Sequence, residues 1–237
     1  EKARVLLIDA DTKGPAVANH FLLSEQPAGI AAALRISTQQ RFDVGQLERL
    51  SFQFQKSTLR IMPGSQNLPK QALEEGSIEP LLDTARSAFD YTVVDLGCLS
   101  KASEPTEDLL TRSIVARSDR TVLVCLADPI GIFRLLSAEE SLMSLTAQPD
   151  LVMNRVRNSV IASARREIGI TLQQLSSLEP KAYFPDDSTQ IDQAVRTGVP
   201  ATSLSRSGGF KQALTGYVRS QLLGRKGALD SRVAKLG

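Results

Sequence analysis

The sequence has no tryptophan, a single histidine, two cysteines and three methionines, and only 5% of its 237 residues are aromatic. With His20 as the only imidazole, a zinc centre is not expected. His20 follows Val17-Ala18-Asn19 in helical spacing and is expected to be a packing residue. Cys98 and Cys125 each lie in or beside an apolar run, so both are expected to be small buried hydrophobes rather than a disulfide or metal pair. No run of about 18 apolar residues occurs, and no signal peptide is recognisable, which makes a cytoplasmic protein the expectation. The formal net charge is only +2. So weak a field gives no charge-based reason to expect nucleic acid or an anionic membrane as partner.

What the sequence has is the composition of an ordinary globular chain, 42% hydrophobic and 23% charged. That length suits one large domain or two small ones, with a full core. Short apolar, strand-like runs recur at 5–8, 59–62, 91–94, 121–126, 151–154 and 181–184. Helical patterns lie between most of them, at 29–34, 78–89, 109–116 and 133–145, with a last helix at 210–223 and a helical or loop segment at 42–50. Pro129-Ile130-Gly131 reads as a turn. This alternation of strand and helix indicates an α/β fold.

The run Val5-Leu6-Leu7-Ile8 has the continuous apolarity of a strand buried on both faces, as in parallel sheets. Asp9 and Asp11 follow it at once, and Asp95 closes the strand Tyr91-Thr92-Val93-Val94 in the same way. Open α/β sheets gather ligands at the carboxyl ends of their strands, although aspartate is also common in plain turns. A carboxylate at such a strand end suits the Mg²⁺ that bridges nucleotide phosphates.

Taken in order, VLLIDADTKGPAVANHF, FDYTVVDLG, ADPIG, LVMNRVR and YFPDD with IDQAVRTGVPATSLSRSGGFKQAL resemble the MinD/ParA class of P-loop ATPases, and within it the CpaE/TadZ-like branch that accompanies pilus and secretion systems. The resemblance implies a three-layer α/β fold, a mostly parallel twisted sheet with helices on both faces, over 1–223, followed by a basic tail at 224–237. It implies ATP and Mg²⁺ as cofactors, with Asp9 and Asp95 near the metal and Asp11 as the catalytic acid that orients attacking water. Asn154 matches the asparagine that reads adenine, Pro185-Asp186 the loop that closes over the base, and Gly97 the glycine that meets the γ-phosphate. The family usually has Pro-Gly after the acid of that strand, whereas this chain has Leu96-Gly97-Cys98.

The function implied is an ATP-dependent positioning or assembly switch. It would be a homodimer formed over ATP, with a protein partner in a pilus, secretion or polarity apparatus, weak or no nucleic-acid binding, and room for peripheral membrane or cell-pole recruitment. A non-hydrolysing scaffold for such an apparatus and a DNA-segregation ATPase are the alternatives. In this family the Asp-x-Asp strand is the second, following a strand, a lysine-bearing phosphate loop and a helix. A βαβ unit takes about 30 residues, and none precede Glu1. The expectation is therefore a larger ATPase of which this sequence, lacking the phosphate loop, would not hydrolyse ATP alone. Two stretches stay open between solvated surface and contact: the turn at Asp128 with Arg134, and the basic residues Arg155, Arg157, Arg165 and Arg166.

Overall fold

The computed structural model describes residues 3–23, 29–39, 42–66, 68, 76–98, 105–146, 148–204 and 208–223. The expected tail at 224–237 lies outside them. The chain divides into two compact units, Glu1–Asp119 and Arg120–Gly237.

In the first unit, β1 (Val5–Asp9) leads through the short α1 (Val17–His20) to α2 (Gly29–Gln39), α3 (Val44–Leu50), β2 (Phe52–Gln53) and β3 (Leu59–Met62), and then to α4 (Glu79–Ala88), β4 (Tyr91–Asp95) and α5 (Pro105–Ala116). The strand order is β2-β3-β1-β4. β1 lies parallel to both β3 and β4, and β2 adds a short antiparallel edge on β3. Flanked on both sides, β1 buries Leu6 and Ile8 completely, against Ile30, Leu34, Leu47, Leu81 and Ile114 of the surrounding helices. α3 starts where it does because Asp43 and Gln46 cap one another reciprocally, the Asp43 carboxylate accepting the Gln46 N–H and the Gln46 side chain accepting the Asp43 N–H. α4 presents Leu81, Ala85 and Ala88 to the core at helical spacing.

In the second unit the elements are β5 (Val122–Leu126), α6 (Pro129–Leu145), β6 (Asp150–Val156), α7 (Ala164–Leu175), β7 (Pro180–Pro185), α8 (Ser188–Thr197), α9 (Ala201–Leu204) and α10 (Gly209–Tyr217), which runs on as one π-helical stretch, Val218–Leu223. The three strands are parallel, in the order β5-β6-β7. β6 is buried on both faces: Leu151 and Met153 pack with Leu135, Ile168 and Leu172, while Val152 packs with Phe184 and Tyr217. This is why residues 151–153 read as an unbroken apolar run.

The architecture is the expected one of mostly parallel strands flanked by helices. Three local expectations are corrected. Pro129-Ile130-Gly131 is the first turn of α6 rather than a separate turn, because the Asp128 side chain accepts the Gly131 N–H at 2.7 Å and Pro129 already has a helical φ. His20 is exposed, since α1 is a single turn that buries only Val17 and Ala18. Cys98 is exposed beyond the end of β4, whereas Cys125 is buried and its thiol is pushed up to about 11, chiefly by burial and secondarily by Asp128. Among the described residues the strands form two hydrogen-bonded sheets, with β4 paired only to β1 and β5 only to β6.

Candidate functional site

The parallel register of β1 and β4 sets Asp9 directly opposite Asp95, and the Ala10 N–H donates to the Asp95 carbonyl at 2.7 Å. Both carboxylates therefore leave the same sheet edge, at the carboxyl end of the strands. Asp9 is 1% exposed, and each of its oxygens accepts a backbone N–H, Oδ1 from Asp11 at 3.2 Å and Oδ2 from Val17 at 3.0 Å. It thus ties the loop after β1 to the strand that launches it. Burial raises its pKa, the two N–H donors oppose that rise, and the charges of Asp95 and Asp11 add to it.

Asp11 is half-buried, and its Oδ1 accepts from the N–H groups of Lys13 and Gly14, both at 2.9 Å. Asp95 is exposed; its Oδ1 accepts from the Gly97 N–H at 2.9 Å, and its Oδ2 has no partner among the described residues. Two glycines make room for the acids. Gly97 has φ +69°, and a Cβ there would stand 2.3 Å from Asp11 Cγ. Gly64 lies against the other acid, where a Cβ would be 2.7 Å from Asp9 Cγ and 2.5 Å from Pro15 Cβ. Gly97 was singled out in the sequence; Gly64 was not, and its one sequence signal is the Pro63-Gly64 pair directly after β3.

The first unit thus brings together Asp9, Asp11, Asp95 and Gly97. Among the described residues no group of three or more His, Cys, Asp or Glu is arranged to hold a metal ion alone. Magnesium in nucleotide sites takes one or two carboxylates and completes its shell with phosphate oxygens and water. Asp95, exposed and with one oxygen free, fits that share. Asp9 keeps only the second lone pair on each oxygen and is the more enclosed of the two.

The remaining three predicted residues lie at the matching end of the second unit's sheet. Asn154 follows the buried part of β6, and its Oδ1 accepts the Arg155 N–H at 3.0 Å, which leaves the amide NH₂ as a donor. Pro185 ends β7, and the Asp186 N–H donates to the Val156 carbonyl at 3.2 Å. The Asp186 carboxylate is flanked by Arg155 and Arg157, each at 3.5 Å. Half of the basic stretch left open by the sequence is therefore ion-paired.

No family profile and no curated protein matches the sequence. Solved structures do match. A ParA family ATPase from Chlorobium tepidum TLS superposes with TM-score 0.69 at 13% identity, covering 92% of this chain and 85% of its own. The septum site-determining protein MinD from Pyrococcus horikoshii OT3, complexed with Mg-ADP, gives 0.65 at 16% identity, covering 94% and 86%. MinD in the MinC:MinD cell division complex of Aquifex aeolicus gives 0.65 at 16% identity, covering 94% and 84%. Parallel strands flanked by helices over these coverages define the fold as that of the P-loop NTPases. Within that class, the chain has the MinD/ParA fold.

Proposed function

We propose that this chain is the ATPase portion of a nucleotide-driven positioning or assembly switch, which dimerises over ATP, engages a protein partner in a pilus or secretion apparatus, and resets on hydrolysis. The observation that carries the reading is the meeting of Asp11, Asp95 and Gly97 at the carboxyl ends of β1 and β4, where an α/β sheet of this class binds its ligand. Asp11 is the acid that orients water, its carboxylate steadied by two backbone N–H groups and seated on Gly97. Asp95 contributes the free oxygen of a Mg²⁺ shell, with Asp9 enclosed beside it. When bound, the ion would neutralise charge developing on the phosphates. Asn154, Pro185 and Asp186 are assigned to the base. The MinC complex of the Aquifex aeolicus relative supports a protein partner as the output of this fold.

The reading is tested in the native full-length protein by Asp11→Ala. The expected outcome is retained ATP binding with turnover reduced by about a hundredfold or more, the range for a positioned acid or base. Unchanged turnover would remove Asp11 from the mechanism. One observation favours a non-hydrolysing scaffold instead: Leu96-Gly97-Cys98 replaces the usual Pro-Gly, and Cys98 is exposed. Absent turnover in the wild type, with nucleotide binding intact, would select it. DNA segregation is the third reading, opposed by the net charge of +2. A steep loss of DNA affinity with added salt would restore it.

A further inference from the structure

At the edge of the second unit, Val156, Asn158, Ser163, Arg165, Arg166 and Pro185 line an open cavity of about 440 Å³. Its shape follows from a break in strand pairing. β6 and β7 are in register at Met153 and Tyr183, fall out of it, and meet again at Val156 and Pro185. Arg155 absorbs the irregularity with φ +57°, and Ser163, at the start of α7, has φ +50°. Non-glycine residues adopt this left-handed region at a cost of about 1 kcal/mol or more, and such strain collects at functional sites.

The polar groups of this cavity are all able to donate. Neither Arg165 nor Arg166 has a carboxylate within salt-bridge distance among the described residues. The Arg165 guanidinium is held 5.7 Å from the centroid of the Tyr183 ring, which orients its plane. Asn158 uses its Oδ1 to accept the Ala164 N–H at 3.1 Å, so its amide NH₂ remains a donor. The Ser163 side chain makes no capping bond, although it occupies the N-cap. Of the acids close by in sequence, Asp186 is already flanked by Arg155 and Arg157, and Glu167 follows Arg166 in the first turn of α7. Val156 and Pro185 supply an apolar wall.

We propose that this cavity binds a phosphate group, in which the unpaired Arg165 and Arg166 guanidiniums, the Asn158 amide and the Ser163 hydroxyl meet its oxygens. Guanidinium and phosphate match geometrically, through paired charge-assisted hydrogen bonds. The site goes beyond the ATPase reading, with which it shares only Pro185. A soluble phosphorylated compound and a lipid headgroup present the same chemistry to it.

The test is calorimetric titration of the full chain with inorganic pyrophosphate, alongside flotation with phosphatidylcholine vesicles containing or lacking phosphatidic acid. Saturable pyrophosphate binding, weakened about tenfold or more in Arg166→Gln and further in Arg165→Gln/Arg166→Gln, is the result expected for a soluble ligand. Flotation that requires phosphatidic acid and is lost in the same double variant assigns the site to a headgroup. Binding of neither probe overturns the proposal. So does pyrophosphate binding that survives both substitutions and is displaced by ADP, since that places the anion at the nucleotide site. Loss of ATP binding or turnover with the Arg166-dependent signal intact would refute the ATPase reading alone. Among the described residues Arg166 packs on no aromatic ring, so its single variant stays informative if Arg165→Gln disturbs Tyr183.

Discussion

Asp11 and Gly97 constrain one another, because the carboxylate rests where a side chain at 97 would have to be. Gly97→Ala is expected to displace Asp11 and lower turnover at least about tenfold, while the left-handed backbone strain lowers stability by only about 1–2 kcal/mol. Unfolding in urea and steady-state hydrolysis separate the two effects. Asp9 yields a pH prediction. Its folded pKa is raised, mainly by burial, so the folded state binds its proton more tightly than the unfolded chain does. Its contribution is therefore fully present below the ordinary carboxylate range and is lost as pH rises through the raised value. Melting of the wild type and Asp9→Asn should show the wild type's relative advantage growing toward acid pH. An advantage that grows toward neutral pH instead would mean a lowered pKa and a carboxylate held charged by its two N–H donors.

At the scale of elements, β6 and α10 are joined by a buried polar contact inside an otherwise apolar layer. The Tyr217 hydroxyl donates to Asp150 Oδ2 at 2.9 Å, Arg120 pairs with the same carboxylate, and Asp150 and Tyr217 are 8% and 6% exposed. Burial and the neighbouring carboxylate together push the Tyr217 hydroxyl pKa upward. Arg120→Ala should cost about 3–5 kcal/mol, since it leaves a buried carboxylate without its cation. Tyr217→Phe should cost about 1 kcal/mol. Equal losses in denaturant melts would show that the ion pair contributes little.

Strands were the most legible elements. The run 5–8, for example, is short, apolar and bounded by Arg4 and Asp9, and it has become a strand. β2 was not legible, because two residues carry no periodicity and its pairing with β3 is a tertiary fact. α7 and α8 were also left unassigned. Ala164, Ile168 and Leu172 of α7 recur at helical spacing as Leu81, Ala85 and Ala88 do in α4, whereas α8 buries only Gln190 and Ala194. The acids of the first unit were legible because they directly follow apolar strands. What held them in place was not, since Gly64 lies more than fifty residues from Asp9 in sequence and touches it only through the parallel pairing of β1 and β3.

For the molecule as a whole, alternation of strand and helix announced an α/β fold, and the solved MinD and ParA structures share it. Sheet continuity was not announced. Among the described residues the hydrogen bonding forms two sheets, because which strands pair is decided by contacts far apart in the chain. The proposed switch must also change its state of association with its nucleotide. The most direct measurement is the solution mass of the native full-length protein, by light scattering, with ADP and with ATP and Mg²⁺, for the wild type and Asp11→Ala. The expected result is a monomer with ADP and a dimer that accumulates with ATP in Asp11→Ala, where hydrolysis no longer disperses it. One mass under every condition, in both proteins, would contradict a nucleotide-driven dimer and leave only the fold in common with the MinD and ParA proteins.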